Sequence, residues 1–199
     1  MSSSTVEAPS YRERLIAALA ESIEQQGFRA STVADIVRIA RTSRRSFYEQ
    51  FADREACFLA LFEQTNDETM RAIADAVAPE DSPEQQVEDA LDAYLGTVMK
   101  RPALYWSFVR ELPGLGPAGA AAQAAVIERF AELLVALVES GRRARPELAA
   151  RPLPKDMAVI IVGGLRELMV ISSQQGRDPR ELRASATAAV NAILGATVL

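Results

Sequence analysis

The stretch from Ser31 to Phe51, STVADIVRIARTSRRSFYEQF, limits what this chain can fold into more than any other. It holds two short amphipathic runs separated by a tight break at Ala40–Ser43. Thr32-Val-Ala-Asp35 has the Ser/Thr-x-x-Asp/Glu form of a capping box, which starts a helix by satisfying its orphan amides. Val33, Ile36, Val37 and Ala40 follow on the inner face of that helix. A further helix is expected from about Ser43 to Gln50, with Phe47 turned inward.

The rest of the chain repeats the helical period and never shows the alternation of a strand. Upstream, Leu15, Ile16, Leu19 and Ile23 mark a helix from about Ser10 to Gln26, stopped by Gly27, and residues 1–9 read as a disordered polar arm. Downstream, Asp53 caps a long fourth helix, and Pro79-Glu-Asp-Ser-Pro83 breaks the chain before a fifth. Pro102 opens a bulky sixth helix that ends at Pro113–Gly119. A seventh spans about Ala118 to Ser140, with Gly141 as its stop. The last two, about Pro154–Gln175 and Pro179–Thr197, form an αα-hairpin around Gly176-Arg-Asp178. The fold expected is all-α, a three-helix head on a six-helix body. Domain boundaries fall at 1–9 for the arm, 10–52 for the head and 53–199 for the body.

Composition removes several function classes. Histidine is absent, and with it the commonest general base and metal ligand, so a Ser-His-Asp or Cys-His centre cannot be assembled. The single cysteine, Cys57, excludes an internal disulfide framework and a multi-thiolate zinc site. No carboxylate pair is set apart by its surroundings. Neither an enzyme nor a metal or other cofactor is expected. No apolar run reaches the roughly 18–20 residues that span a bilayer, and no secretory leader is present, so a cytoplasmic protein is expected.

Charge is divided unevenly. The whole chain carries −5, yet residues 29–54 hold Arg29, Arg38, Arg41, Arg44, Arg45 and Arg54 against Asp35, Glu49 and Asp53, a net +3. A small basic head on an acidic body suits a nucleic-acid reader that avoids non-specific adhesion. Two helices about a tight break, the second opening on Thr42-Ser43-Arg44-Arg45-Ser46, suit a helix-turn-helix, whose second helix enters the major groove of DNA.

From Arg14 to Leu61 the chain resembles the TetR family of bacterial transcriptional regulators. The resemblance is carried by Gly27-Phe28, Ser31-Thr32-Val33-Ala34-Asp35-Ile36-Val37, Ala40-Arg41-Thr42-Ser43, Ser46-Phe47-Tyr48, Phe51 and Asp53-Arg54-Glu55. Two residues depart from the family pattern: Arg41 stands where the turn usually has Gly, and Val37 where the second helix usually has a small Ala. An L-residue at positive φ costs on the order of 1 kcal/mol, so Arg41 should be accommodated at that cost.

The resemblance implies DNA contacts from Thr32, Thr42, Ser43, Arg44, Arg45, Ser46, Tyr48 and Arg54. The chemistry agrees: Ser43 caps a helix whose positive end faces the duplex, and Arg44 and Arg45 can grip guanine bidentately. Ser46, Tyr48 and Thr32 carry hydroxyls suited to phosphate oxygens, and Arg54 takes a position where the family has a phosphate-contacting lysine. It further implies a homodimer on a palindromic double-stranded DNA operator and a repressor released by a small organic inducer. Without histidine the inducer is expected to be metal-free and largely apolar. Pocket candidates are Phe62, Tyr94, Met99, Tyr105, Trp106, Phe108 and Met169, with Arg110 and Arg166 as orienting groups. Ile161, Gly164, Leu165, Leu168, Ala186, Ala189, Val190 and Ile193 are the candidate dimer surface, although their periodicity suits an intrachain core equally well. A ligand-independent regulator or activator of the same architecture is the alternative, and an all-α enzyme or lipid carrier a third.

Overall fold

The computed structural model describes residues 9–148 and 151–196. The expected arm, bar its last residue, and Thr197 at the end of the last helix lie outside the described residues. Among the described residues there is no strand, and the α-helices are α1 (Tyr11–Gln26), α2 (Val33–Ile39), α3 (Arg44–Gln50), α4 (Arg54–Ala76), α5 (Pro83–Lys100), α6 (Pro102–Glu111), α7 (Gly116–Ala144), α8 (Lys155–Gln174) and α9 (Arg183–Ala196). Single 3-10 turns at Leu112–Leu115, Pro146–Leu148 and Pro179–Leu182 lead into or out of them. The all-α reading holds. No helix among the described residues is long and apolar enough to cross a membrane.

The chain packs as two compact units. One comprises the residues up to Gln64 together with Arg101–Gly119; the other comprises Thr65–Lys100 and the residues from Ala120 onward. The first unit is built on Leu15 and Leu19 of α1, Ile36 of α2, Phe47 of α3, Phe58 of α4 and Leu104 of α6, each fully or almost fully buried. A file of rings runs through it: Phe28 to Phe58 at 4.1 Å between centroids, Phe58 to Phe108 at 5.3 Å and Phe108 to Phe62 at 5.2 Å. Ion pairs from Arg101 to Glu24 (2.6 Å) and from Arg29 to Glu111 (3.0 Å) tie α6 to α1 and to the loop that follows it.

Local chemistry sets the short elements. At Ser10 a capping box with Glu13 starts α1, and Gly27 ends it at φ 80°. After α2 the Arg41 amide donates to the Arg38 carbonyl and the Thr42 amide to the Val37 carbonyl, the pair of bonds of a Schellman motif. That motif needs a left-handed residue, and Arg41 supplies it at φ 50°. Arginine thus carries the strain that a glycine would avoid, as its position in the sequence implies.

The second unit has its core in Val87 and Leu91 of α5, Ala131 of α7, Leu153, Ala158 and Ile161 on and before α8, and Ala186 and Val190 of α9. Arg183 of α9 reaches Glu88 and Asp92 of α5, and Lys155 of α8 reaches Glu128 and Glu132 of α7. These pairs are about half exposed and set register more than they add stability.

Helix α7 differs from the expectation at both ends. It begins at Gly116, because the Pro/Gly-rich break occupies only the 3-10 turn Leu112–Leu115. It passes through Gly141 and continues to Ala144, with Pro146 close behind as the stop. Gly141 lies inside the helix where it faces α5, and a Cβ there would stand 2.9 Å from the end of the Gln86 side chain.

Candidate nucleic-acid interface

Helix α3 is presented by its caps. The Ser43 hydroxyl accepts from the Ser46 amide at 3.1 Å, which fixes where the helix begins and leaves its N-terminus open to an anion. Phe47 is 0% exposed and anchors the opposite face. Arg44 and Arg45 therefore point away from the core, and both are exposed. Arg44 has no acidic partner among the described residues, whereas Arg45 lies 3.0 Å from Glu49 across one helical turn. Tyr48 is 58% exposed, its ring edge-on against Phe47 at 5.4 Å.

Helix α2 starts nearby through the expected capping box. The Asp35 amide donates to the Thr32 hydroxyl at 3.2 Å, and the Thr32 amide and hydroxyl both donate to the Asp35 carboxylate, at 3.1 and 2.6 Å. Those bonds, the hydroxyl's first, hold the Asp35 carboxyl below the usual carboxylate range. The hydroxyls of Ser43 and Ser46 are 3.0 Å apart, and Thr42 is half-buried in the turn. The four hydroxyl residues thus shape the two helix starts, while Arg44, Arg45 and Tyr48 project from them.

Arg54 is placed otherwise than the sequence implies. Its guanidinium donates to the Phe28 carbonyl (3.2 Å) and the Ser31 carbonyl (2.8 Å), pairs with Glu55 and lies 4.3 Å over the centre of the Phe28 ring. A side chain bonded to two carbonyls and laid on a ring is a clamp on the loop between α1 and α2, at the position where the resemblance implies a phosphate contact. The loop is closed from the other side by buried serines: Ser22 donates to Ser31 at 2.7 Å, and Ser31 to the Gly27 carbonyl at 2.9 Å. Sequence reasoning gave neither serine this role, although Ser22, a polar residue on the apolar face of α1, was a visible signal.

The pocket candidates are divided between the two units. Phe62 and Phe108 are spent in the ring file of the first unit, where Tyr105 and Trp106 pack edge to face at 4.8 Å and Arg110 is exposed. Tyr94, Met99, Arg166 and Met169 belong to the second unit. Only Tyr94 and Met169 line its apolar cleft, with Leu91, Leu95, Leu165, Leu168, Leu182 and Ala186, around about 260 Å³ of space that includes open solvent. Arg166 is turned to Gln123 at 3.2 Å. Periodicity identified apolar faces and could not tell a ring in a core from a ring on a cavity. Among the described residues no cluster of acidic or cysteine side chains could hold a metal ion.

The candidate dimer surface also divides. Ile161, Ala186 and Val190 are buried in the chain's own core, which corrects the expectation for those three. Leu165, Leu168 and Ile193 are half-buried, and Gly164 and Ala189 are exposed. The outward face of α8 carries Ile160, 63% exposed, and Ile171, 42% exposed.

Residues 15–61 match the family model described as bacterial regulatory proteins, tetR family. The match makes residues 15–61 a TetR-type N-terminal domain. The TetR-family fold extends over nearly the whole chain. A solved structure of a fatty acid degradation regulator, FadR, from Bacillus halodurans superposes with a TM-score of 0.71 at 16% identity, covering 95% of this chain and 97% of that one. A tetR-family regulatory protein from Rhodococcus RHA1 gives 0.64 at 18% identity over 96% and 98%. A structure from Syntrophomonas wolfei, assigned to the same family of transcriptional regulators, gives 0.73 at 13% over 92% and 94%. At such identities these structures speak for the fold alone. No curated protein sequence matches the chain. As a TetR-family helix-turn-helix, the α2–α3 pair makes the chain a DNA-binding transcription regulator.

Proposed function

We propose that this chain is a homodimeric repressor that leaves a palindromic operator when a small, largely apolar organic ligand binds its body. The observation that carries the reading is the exposed guanidinium of Arg44, without an acidic partner among the described residues, on the outward face of a helix whose start is fixed by Ser43. In this reading residues 10–52 bind DNA, residues 53–199 bind ligand and dimerise, and the protein works in the cytoplasm without enzymatic activity. The mostly apolar lining of the small cleft around Tyr94 and Met169 agrees with an apolar ligand, which would have to widen it. One protein of similar fold is, by its name, a regulator of fatty acid degradation, which agrees with that ligand class. Ligand and DNA then oppose each other reciprocally, each favouring a different conformation.

The test is selection of duplexes from a random library by the full chain. The expected winner is an imperfect palindrome whose half-sites lie in successive major grooves, about one helical turn apart. Recovery of no preferred sequence would sink the proposal.

Dimerisation is assigned to the outward faces of α8 and α9, where Ile160, Gly164 and Ile171 face away from the core and Ala189 offers a small contact. A two-fold interface meets each residue twice, so Ile160→Glu would place two carboxylates in it. The variant is expected to keep its helical content and to sediment as a monomer with weakened operator binding. A variant dimer as tight as wild type would move the interface elsewhere.

A further inference from the structure

Arg12 lies outside the helix-turn-helix, in the first turn of α1. Its guanidinium carbon stands 4.6 Å from the centre of the Phe51 ring, and Phe51 caps the C-terminal end of α3. The same charge is felt at Cys57, in the first turn of α4, where it opposes the rise that burial imposes on the thiol. These contacts place Arg12 where α3 ends and α4 begins. The side chain is exposed, with no acidic partner among the described residues.

The other arginines around α2 and α3 are mostly engaged. Arg38 pairs with Asp35, Arg45 with Glu49, and Arg54 is turned onto the Phe28 and Ser31 carbonyls. The carboxylates that flank Phe51 in sequence are occupied as well: Glu49 faces Arg45, and Asp53 accepts from the Ala56 amide at 2.7 Å. Helix α3 is short. Seven residues rise about 10 Å, close to the roughly 12 Å width of the major groove. With Arg44 at one end against base edges, the other end would stand beside a phosphate strand that borders the groove.

We propose that Arg12 is a phosphate-contacting residue of the DNA interface, held over Phe51 so that it meets the backbone flanking the bases read by α3. A guanidinium can do both at once. Its flat face lies on the ring, while its N–H donors lie in the plane and remain free for a phosphate. The contact positions the head without reading sequence.

This rests on α3 reading DNA, and the test separates the two. Full-length wild type and Arg12→Gln are titrated against the duplex that the wild type selects and against an unrelated duplex of equal length, from about 50 to 200 mM salt. Arg12→Gln is expected to weaken both complexes by a similar factor, about tenfold at low salt, and to flatten log K against log salt by about 0.9 for each phosphate it no longer neutralises. Arg12→Lys keeps the charge and should keep the wild-type slope. Arg12→Met, whose side chain still covers the Phe51 ring, is the second neutral variant if the glutamine chain does not fold. A neutral variant with the wild-type slope overturns the proposal, as does a loss confined to the selected duplex. A wild type that prefers no duplex overturns the reading of α3, and this one with it.

Discussion

The double variant Arg44→Ala/Arg45→Ala is expected to bind the selected duplex no better than unrelated DNA, with unchanged thermal unfolding. Each arginine that grips a base edge contributes about 1–3 kcal/mol of discrimination. Two arginines in each of two heads then account for about 4–12 kcal/mol, which spans the usual gap of about 4–10 kcal/mol between specific and non-specific binding. Stability should not move, because both side chains leave the protein surface and neither is packed inward. The Arg45–Glu49 pair does not protect Arg45: it is exposed at both ends, and such pairs are worth a few tenths of a kcal/mol. Arg44, which has no acidic partner to release among the described residues, should carry the larger share in single variants. Gel shift on the selected and unrelated duplexes checks this, and a double variant that still prefers the selected sequence refutes the assignment of α3.

Arg54→Ala is expected to cost about 2–3 kcal/mol of stability, the scale of hydrogen bonds made by a charged group together with the acceptors it leaves unpaired. Two carbonyls lose their donor, and Phe28 loses the cation over its ring. The damage should spread to DNA binding, because the loop it clamps leads directly into the Thr32 cap of α2. Arg54→Lys should recover little, since an ammonium cannot span two carbonyls and stack on a ring. Denaturant unfolding reads the stability and anisotropy reads the binding. A variant as stable as wild type, with only a flatter salt dependence, would mean that Arg54 faces phosphate after all.

These two arginines mark where the sequence was legible and where it was not. Helix starts at Thr32, Ser43 and Asp53 could be read because each depends on residues within three positions of itself. Arg41 was legible for the same reason, being the residue that must turn the chain between two apolar runs. The direction of Arg54 was not, because carbonyls 26 and 23 residues away decide it. The helical period placed Phe62 and Phe108 on inward faces but could not say that they meet each other. Ile161, Ala186 and Val190 went astray in the same manner: period assigns a face, and only the packed neighbours say whether another helix of the same chain already covers it.

The packing of α6 beside α1 has a consequence for how such regulators can be recombined. A hybrid joined after residue 52 would leave Glu24 and Arg29 facing a foreign sixth helix in place of Arg101 and Glu111. Phe58, which stacks on Phe28, would come from one parent and Phe28 from the other. What is inherited as a working head is therefore discontinuous along the gene, one long segment and one short, and specificity can be transplanted only by moving both.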